Sequence, residues 1–116
     1  GVYATDQVSV RVSDLAVIPE IMQRLRSNPP TEIAGAQVTE FIDLAVATKL
    51  LPPTDGVLFN LGGGGRVIVR PSGTEPKVKV YLQSVVGVED TKLAAARAQA
   101  AANLAAMAKA AGTWLS

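Results

Sequence analysis

The chain has 116 residues, 48% of them apolar, and a formal net charge of +1. That length holds one modest core and no second one, and near-neutrality argues against a polyanion or an anionic membrane as partner. Cysteine and histidine are both absent, which excludes disulfides and thiolate chemistry and removes the commonest general base and metal ligand.

Gly1-Val2-Tyr3, without an initiator methionine, reads as a processed chain or an excised fragment, with no signal-peptide pattern and no apolar run of membrane-spanning length. The expected place of work is the cytoplasm. Val8, Val10 and Val12 alternate with Gln7, Ser9 and Arg11, the period of a half-buried strand. An extended linker is the alternative, so residues 1–13 are set apart, as a linker or edge strand from a preceding domain, from a domain over 14–116. Asp14 starts a turn. Pro19 suits the first position of a helix running to Ser27, with Ile21, Met22 and Leu25 on one face, and Asn28-Pro29-Pro30 stops it.

Residues 36–44 read as a strand with Val38 and Ile42 on one face and Thr39 and Phe41 on the other. A short helical piece is expected over 44–49. Leu51-Pro52-Pro53-Thr54-Asp55-Gly56 is a loop by composition, with Leu50 and Leu51 tucked into the core. Residues 57–61 and 66–70 are two strands joined by Gly62-Gly63-Gly64-Gly65. These glycines lead into a strand and not into the helix N-terminus that a nucleotide loop requires, so they read as a hairpin turn. The last segment is an alanine-rich helix, with Glu89 and Asp90 at its start and Gly112 at its end. Leu93, Ala96, Ala100, Leu104, Met107 and Ala111 form its apolar stripe, and Trp114 with Leu115 plugs the core. The expected fold is α+β: a two-layer sandwich of a four- or five-stranded, mainly antiparallel sheet with two helices on one face.

Chemistry concentrates in Arg70-Pro71-Ser72-Gly73-Thr74-Glu75-Pro76, a tight turn between Val67-Ile68-Val69 and Val78-Lys79-Val80-Tyr81-Leu82. Arg70 brings a planar fork of donors suited to phosphate. Ser72 and Thr74 bring hydroxyls, which can also cap the turn itself. Gly73 permits a positive φ or a close approach of ligand to backbone, the prolines stiffen both ends, and successive amides can form an anion nest. Arg70, Lys77 and Lys79 stand against Glu75 alone. Lys77 is read as a solvated side chain, and Glu75 as part of the turn or of an ion pair. Asp6, Asp14, Glu20, Glu40, Asp43 and Asp55 lie scattered at segment ends, with no metal-ligand or acid–base spacing.

The run from Arg70 to Tyr81 resembles the phosphate-binding loop and following strand of the α-D-phosphohexomutases, the phosphoglucomutase/phosphomannomutase family, where it lies in the fourth, C-terminal domain. The resemblance covers nearly the whole chain and implies a TATA-box-binding-protein-like two-layer fold. It implies phosphate or substrate binding by Arg70, Ser72, Gly73, Thr74 and Lys79, the last at a position where the family often has arginine. It further implies no catalytic residue, metal or cofactor in this domain. Nothing here matches the family's phosphoserine, metal or sugar-discriminating loops, so Mg²⁺ and glucose 1,6-bisphosphate are implied only for the parent enzyme. The partners implied are a hexose phosphate and three further domains, with no nucleic acid and no membrane.

Two alternatives stay open within the family, a phosphopentomutase and a phosphoglucosamine mutase, although Lys77-Val78-Lys79-Val80-Tyr81 is less similar to the latter. Outside it stands an independent anion-binding or interaction module. Nucleic-acid binding through the sheet lacks both an aromatic platform and a basic stripe.

Overall fold

The computed structural model describes residues 2–46, 55–87 and 93–114. In chain order these form β1 (Val2–Arg11), α1 (Val17–Ser27), β2 (Glu32–Ile33), β3 (Ala36–Asp43), β4 (Val57–Leu61), β5 (Arg66–Pro71), β6 (Lys77–Val86) and α2 (Leu93–Trp114). The strands make one sheet in the order β1-β6-β5-β4-β3-β2, every neighbouring pair antiparallel. The segment with alternating valines is thus an edge strand, paired with β6 from Val2↔Val86 to Arg11↔Lys77.

Strand alternation decides which face is dry. Val57, Phe59 and Leu61 of β4, Val67 and Val69 of β5, and Val78, Val80 and Leu82 of β6 are buried. Ile18, Ile21, Met22 and Leu25 of α1 cover that face together with Leu104, Met107 and Ala111 of α2. Phe59 is fully buried, its ring 5.3 Å from that of Phe41 and 5.7 Å from that of Trp114. A buried phenylalanine of this kind typically costs about 3–5 kcal/mol to truncate to alanine. Among the described residues Ser84 is the buried polar exception. Its Oγ accepts a 3.1 Å hydrogen bond from Asn103 Nδ2, which ties β6 to α2. Among the described residues no helix is long and apolar enough to cross a membrane.

The two-layer α+β sandwich agrees with the sequence reading, and the differences are local. The sheet has six strands because β2, only two residues long, carries no period to read. It closes on β3 through Ala34 (φ 51°) and Gly35 (φ 83°), the double positive φ of a tight hairpin. In β3 the register shifts between Val38 and Glu40, so the strict two-residue period fails there. Val38 now pairs with Leu61 and Phe41 with Phe59. Val38 and Phe41 therefore both face the core, and Ile42, opposite Leu58, faces away.

Helix α1 starts at Val17, two residues before Pro19, and adds Ile18 to its buried face. The turn before it is an Asp14 turn, with Ala16 N–H donating to Asp14 Oδ1 and Val17 N–H to the Asp14 carbonyl. Helix α2 runs through Gly112 to Trp114. The extra turn brings the indole onto Phe59, a contact that offsets the roughly 1 kcal/mol cost of glycine inside a helix. Leu93 is 43% exposed and leaves the stripe. Residues 44–46 form a turn after β3; the rest of the helical piece expected over 44–49 lies outside the described residues, as do Leu50, Leu51, Glu89, Asp90 and Leu115.

Candidate functional site

Strands β5 and β6 are held in register up to Pro71↔Val78, so only residues 72–76 are left to reverse the chain. Ser72 N–H donates to the Lys77 carbonyl at 3.0 Å and Lys77 N–H to the Glu75 carbonyl at 2.7 Å. A third bond comes from outside the turn. Val12 N–H, just past β1, donates to the Pro76 carbonyl at 2.8 Å, so the edge strand holds the elbow from the side. The Ser72 amide closes the turn, and the amides of Gly73, Thr74 and Glu75 are the ones that point to no partner among the described residues. Gly73 has an ordinary φ, and a Cβ built on it meets nothing within 4 Å. The positive-φ option for this glycine is therefore not the one used, and close approach is what its missing side chain allows. Thr74 is exposed and Ser72 half-buried.

The helix-free face of the sheet collects the charges. Val69↔Val80 is an inward pair, so its neighbour Arg70↔Lys79 is an outward one. Arg11↔Lys77 is likewise outward, next to the inward pair Val10↔Val78. Four cations thus converge beside the elbow, where the sequence alone groups three. Arg11 is distant in sequence and arrives through the pairing of β1 with β6; its place on the polar side of the Val8–Val10–Val12 alternation was the available sign. Glu75 is drawn to two of the four, Lys77 Nζ at 3.6 Å and Arg11 Nη2 at 3.8 Å, which fits its reading as an ion-pair residue. Arg70 is exposed and has no hydrogen bond or carboxylate partner among the described residues. Like charges directly opposite on neighbouring strands repel. Among the described residues Arg70 and Lys79 therefore form a like-charged pair without a carboxylate, at the base of a turn that carries two hydroxyls and three amides without partners.

Asp43 and Asp55, far apart in sequence, meet on one arginine. Arg26 Nη2 donates to Asp55 Oδ1 at 2.7 Å, and Arg26 Nε lies 3.2 Å from Asp43 Oδ2. The hydrogen bond that the guanidinium donates to Asp55 is the main cause holding it above its ordinary pKa, with burial opposing and the charge of Asp43 assisting. This clasp joins α1 to the end of β3 and the approach to β4. Leu44 N–H closes the same connection by donating to the Gly56 carbonyl at 2.9 Å. Nothing in the spacing of these residues announced the clasp, because three elements have to fold before it exists.

Comparison with known proteins gives the family of the chain. Residues 8–102 match the family model described as phosphoglucomutase/phosphomannomutase, C-terminal domain. The chain is 51% identical over 84 residues to a probable phosphomannomutase of Haemophilus influenzae, covering 72% of this chain and 17% of that protein. It is 36% identical over 75 residues to a phosphoglucomutase of Staphylococcus aureus, covering 56% of this chain and 14% of that protein. The chain thus spans about a sixth of the length of the curated relatives it matches. The chain belongs to the phosphoglucomutase/phosphomannomutase family, of which it is the C-terminal domain.

Proposed function

We propose that this domain anchors the non-reacting phosphate of a hexose phosphate while the phosphoryl group is moved within the sugar by other domains of a phosphohexomutase. The observation that carries the reading is the outward pair Arg70↔Lys79, left without a carboxylate among the described residues while Glu75 is occupied by Lys77 and Arg11. A phosphate dianion at the elbow would neutralise that pair. It would accept from the Ser72 and Thr74 hydroxyls and from the amides beyond Ser72. Arg70 supplies a bidentate fork and Lys79 a point charge. Gly73 lets an oxygen come close to the backbone.

Hydrogen bonds to a charged group contribute about 1.5–3 kcal/mol each, while association costs roughly 4 kcal/mol or more. An open elbow of this kind therefore binds alone at about millimolar strength. That suits one wall of a cleft whose other walls hold the sugar. Its contribution to the reaction is positioning, which is a large share of phosphoryl-transfer catalysis.

Mg²⁺, which the family resemblance implies for the parent enzyme, does not fit the described residues of this domain. Asp43 and Asp55 are engaged with Arg26, and Glu75 with two cations. Among the described residues no three potential ligands gather. No step is therefore routed through a metal here, and the chain alone is expected to be inactive. Hexose phosphates are intracellular metabolites, so the reading places the work in the cytoplasm, with the remaining domains as its partners.

Titration of the 116-residue chain with glucose 1-phosphate or glucose 6-phosphate, followed by amide NMR, tests this. Shifts are expected at residues 70–79. Arg70→Ala should weaken binding by about ten-fold or more, the equivalent of one lost charged contact. Shifts elsewhere, or mutase turnover by this chain alone, would overturn the assignment.

A further inference from the structure

We infer that Gly56 is a positioning residue for Arg70: its missing side chain leaves a shelf on β4's approach across which the arginine stem lies. The inference rests on the phosphate-anchoring reading above and deepens it by naming what aims its main cation. The register Val57↔Val69 places Gly56 opposite Arg70 on the side away from Lys79. A Cβ built on Gly56 would stand 3.0 Å from Arg70 Cγ, 3.0 Å from the Val69 carbonyl oxygen and 3.5 Å from Leu44 Cδ1. Cγ is fixed by the first side-chain torsion, so it cannot step aside as a flexible tip can. It moves only by a change of rotamer, which swings the whole guanidinium.

Backbone conformation does not explain the glycine, because its φ lies outside the positive range. Space does. Gly56 is buried although its cross-strand neighbour is exposed. Nor can Gly56 retreat. Its carbonyl accepts from Leu44 N–H at 2.9 Å, and the preceding Asp55 is pinned by Arg26 at 2.7 Å while that arginine also reaches Asp43. The clasp holds the shelf, and the shelf sets the direction in which the Arg70 side chain leaves the strand.

A double-mutant cycle on the 116-residue chain tests this, with glucose 1-phosphate as the probe and amide NMR as the readout. Gly56→Ala should weaken binding about five-fold, which corresponds to ~1 kcal/mol. In an Arg70→Ala background the same substitution should change the residual affinity less than about two-fold. Unchanged affinity in Gly56→Ala, or an equal loss in both backgrounds, overturns the inference, since a merely structural glycine would act without Arg70.

If Gly56→Ala loses spectral dispersion, Arg26→Gln opens the clasp without crowding the strand. It is expected to weaken binding about two-fold, and only when Arg70 is present; no weakening overturns the inference. Should Arg70→Ala itself leave binding intact, the phosphate reading fails. The shelf is then judged by the Arg70 Nε–Hε resonance, which must shift in ligand-free Gly56→Ala or Arg26→Gln for the inference to stand.

Discussion

Strand β5 begins with one arginine and ends with another, and the two turns that flank it differ as much as the arginines do. At its start the turn is Gly62-Gly63-Gly64-Gly65, with positive φ at Gly63 and Gly64. Arg66 there is engaged, since its Nε donates to Asn60 Oδ1 at 3.1 Å and Asn60 donates onward to Glu40 at 2.8 Å. At its end the turn is Ser72-Gly73-Thr74-Glu75-Pro76, and Arg70 has no such partner among the described residues. Both arginines lie on the same helix-free face. Glycine content therefore marks backbone geometry at the first turn, whereas cations without partners among the described residues mark the end proposed to bind phosphate. A glycine-rich loop is a poor guide to a phosphate site unless its amides and nearby cations are left without partners.

The largest test of the contrast sets the two arginines against each other. Arg70→Ala should remove most phosphate binding, and Arg66→Ala should leave it within about two-fold while breaking a ladder worth roughly 1 kcal/mol of stability. Equal losses of binding from both variants would mean that the ligand feels only the net charge of the sheet.

Next come the glycines, where the roles should reverse. Gly64→Ala forces a side chain to φ +95° with its Cβ 3.5 Å from Val85, and should lower stability by about 1–2 kcal/mol in chemical denaturation. Gly73→Ala meets nothing within 4 Å and should leave stability within roughly 0.5 kcal/mol. On the phosphate reading it should nevertheless weaken binding, because its methyl would stand where that reading brings a ligand oxygen. If Gly73→Ala binds as the parent chain does, the elbow amides take no part.

That contrast also explains what could be read from the sequence. The elbow was legible because its residue types are adjacent in the chain and bounded by alternating strands, as were β4, β5, β6 and the plugging of the core by Trp114; β1 was legible only as an alternation around residues 7–12 that an extended linker could also carry. Features made by tertiary pairing were not. Arg11 reaches Glu75 only once β1 lies along β6, and the Arg26 clasp needs α1, β3 and the approach to β4 in place. The β3 bulge was hidden because a two-residue period was assumed to continue through Thr39. Gly112 looked like a helix stop because local propensity knows nothing of the Trp114–Phe59 contact beyond it.

The Arg26 clasp and the elbow should also respond differently to pH. Arg26's guanidinium is held above its ordinary pKa, so the stability it adds is complete at all pH values below that ordinary range. It is lost only as pH rises through the raised folded value. The destabilisation by Arg26→Gln is therefore expected to be the same at pH 6 and pH 9. Phosphate binding, by contrast, should strengthen as the ester passes its second ionisation near about pH 6. A pH-independent affinity would show that the elbow holds a monoanion.

The smallest effect expected is at Glu75, and its sign is the informative part. Glu75 lies 3.6 Å from Lys77 Nζ and 3.8 Å from Arg11 Nη2, exposed pairs that contribute about 0–1 kcal/mol. Glu75→Gln should thus barely move the unfolding midpoint, because the Lys77 amide still bonds the residue's backbone carbonyl. Removing the carboxylate releases two cations towards the elbow, so phosphate affinity should rise by about two-fold at low salt. The gain should shrink near physiological ionic strength, where the screening length is about 8 Å. A fall in affinity instead would mean that Glu75 shapes the turn for its ligand and that its ion pairs are part of the grip, not a competitor for it.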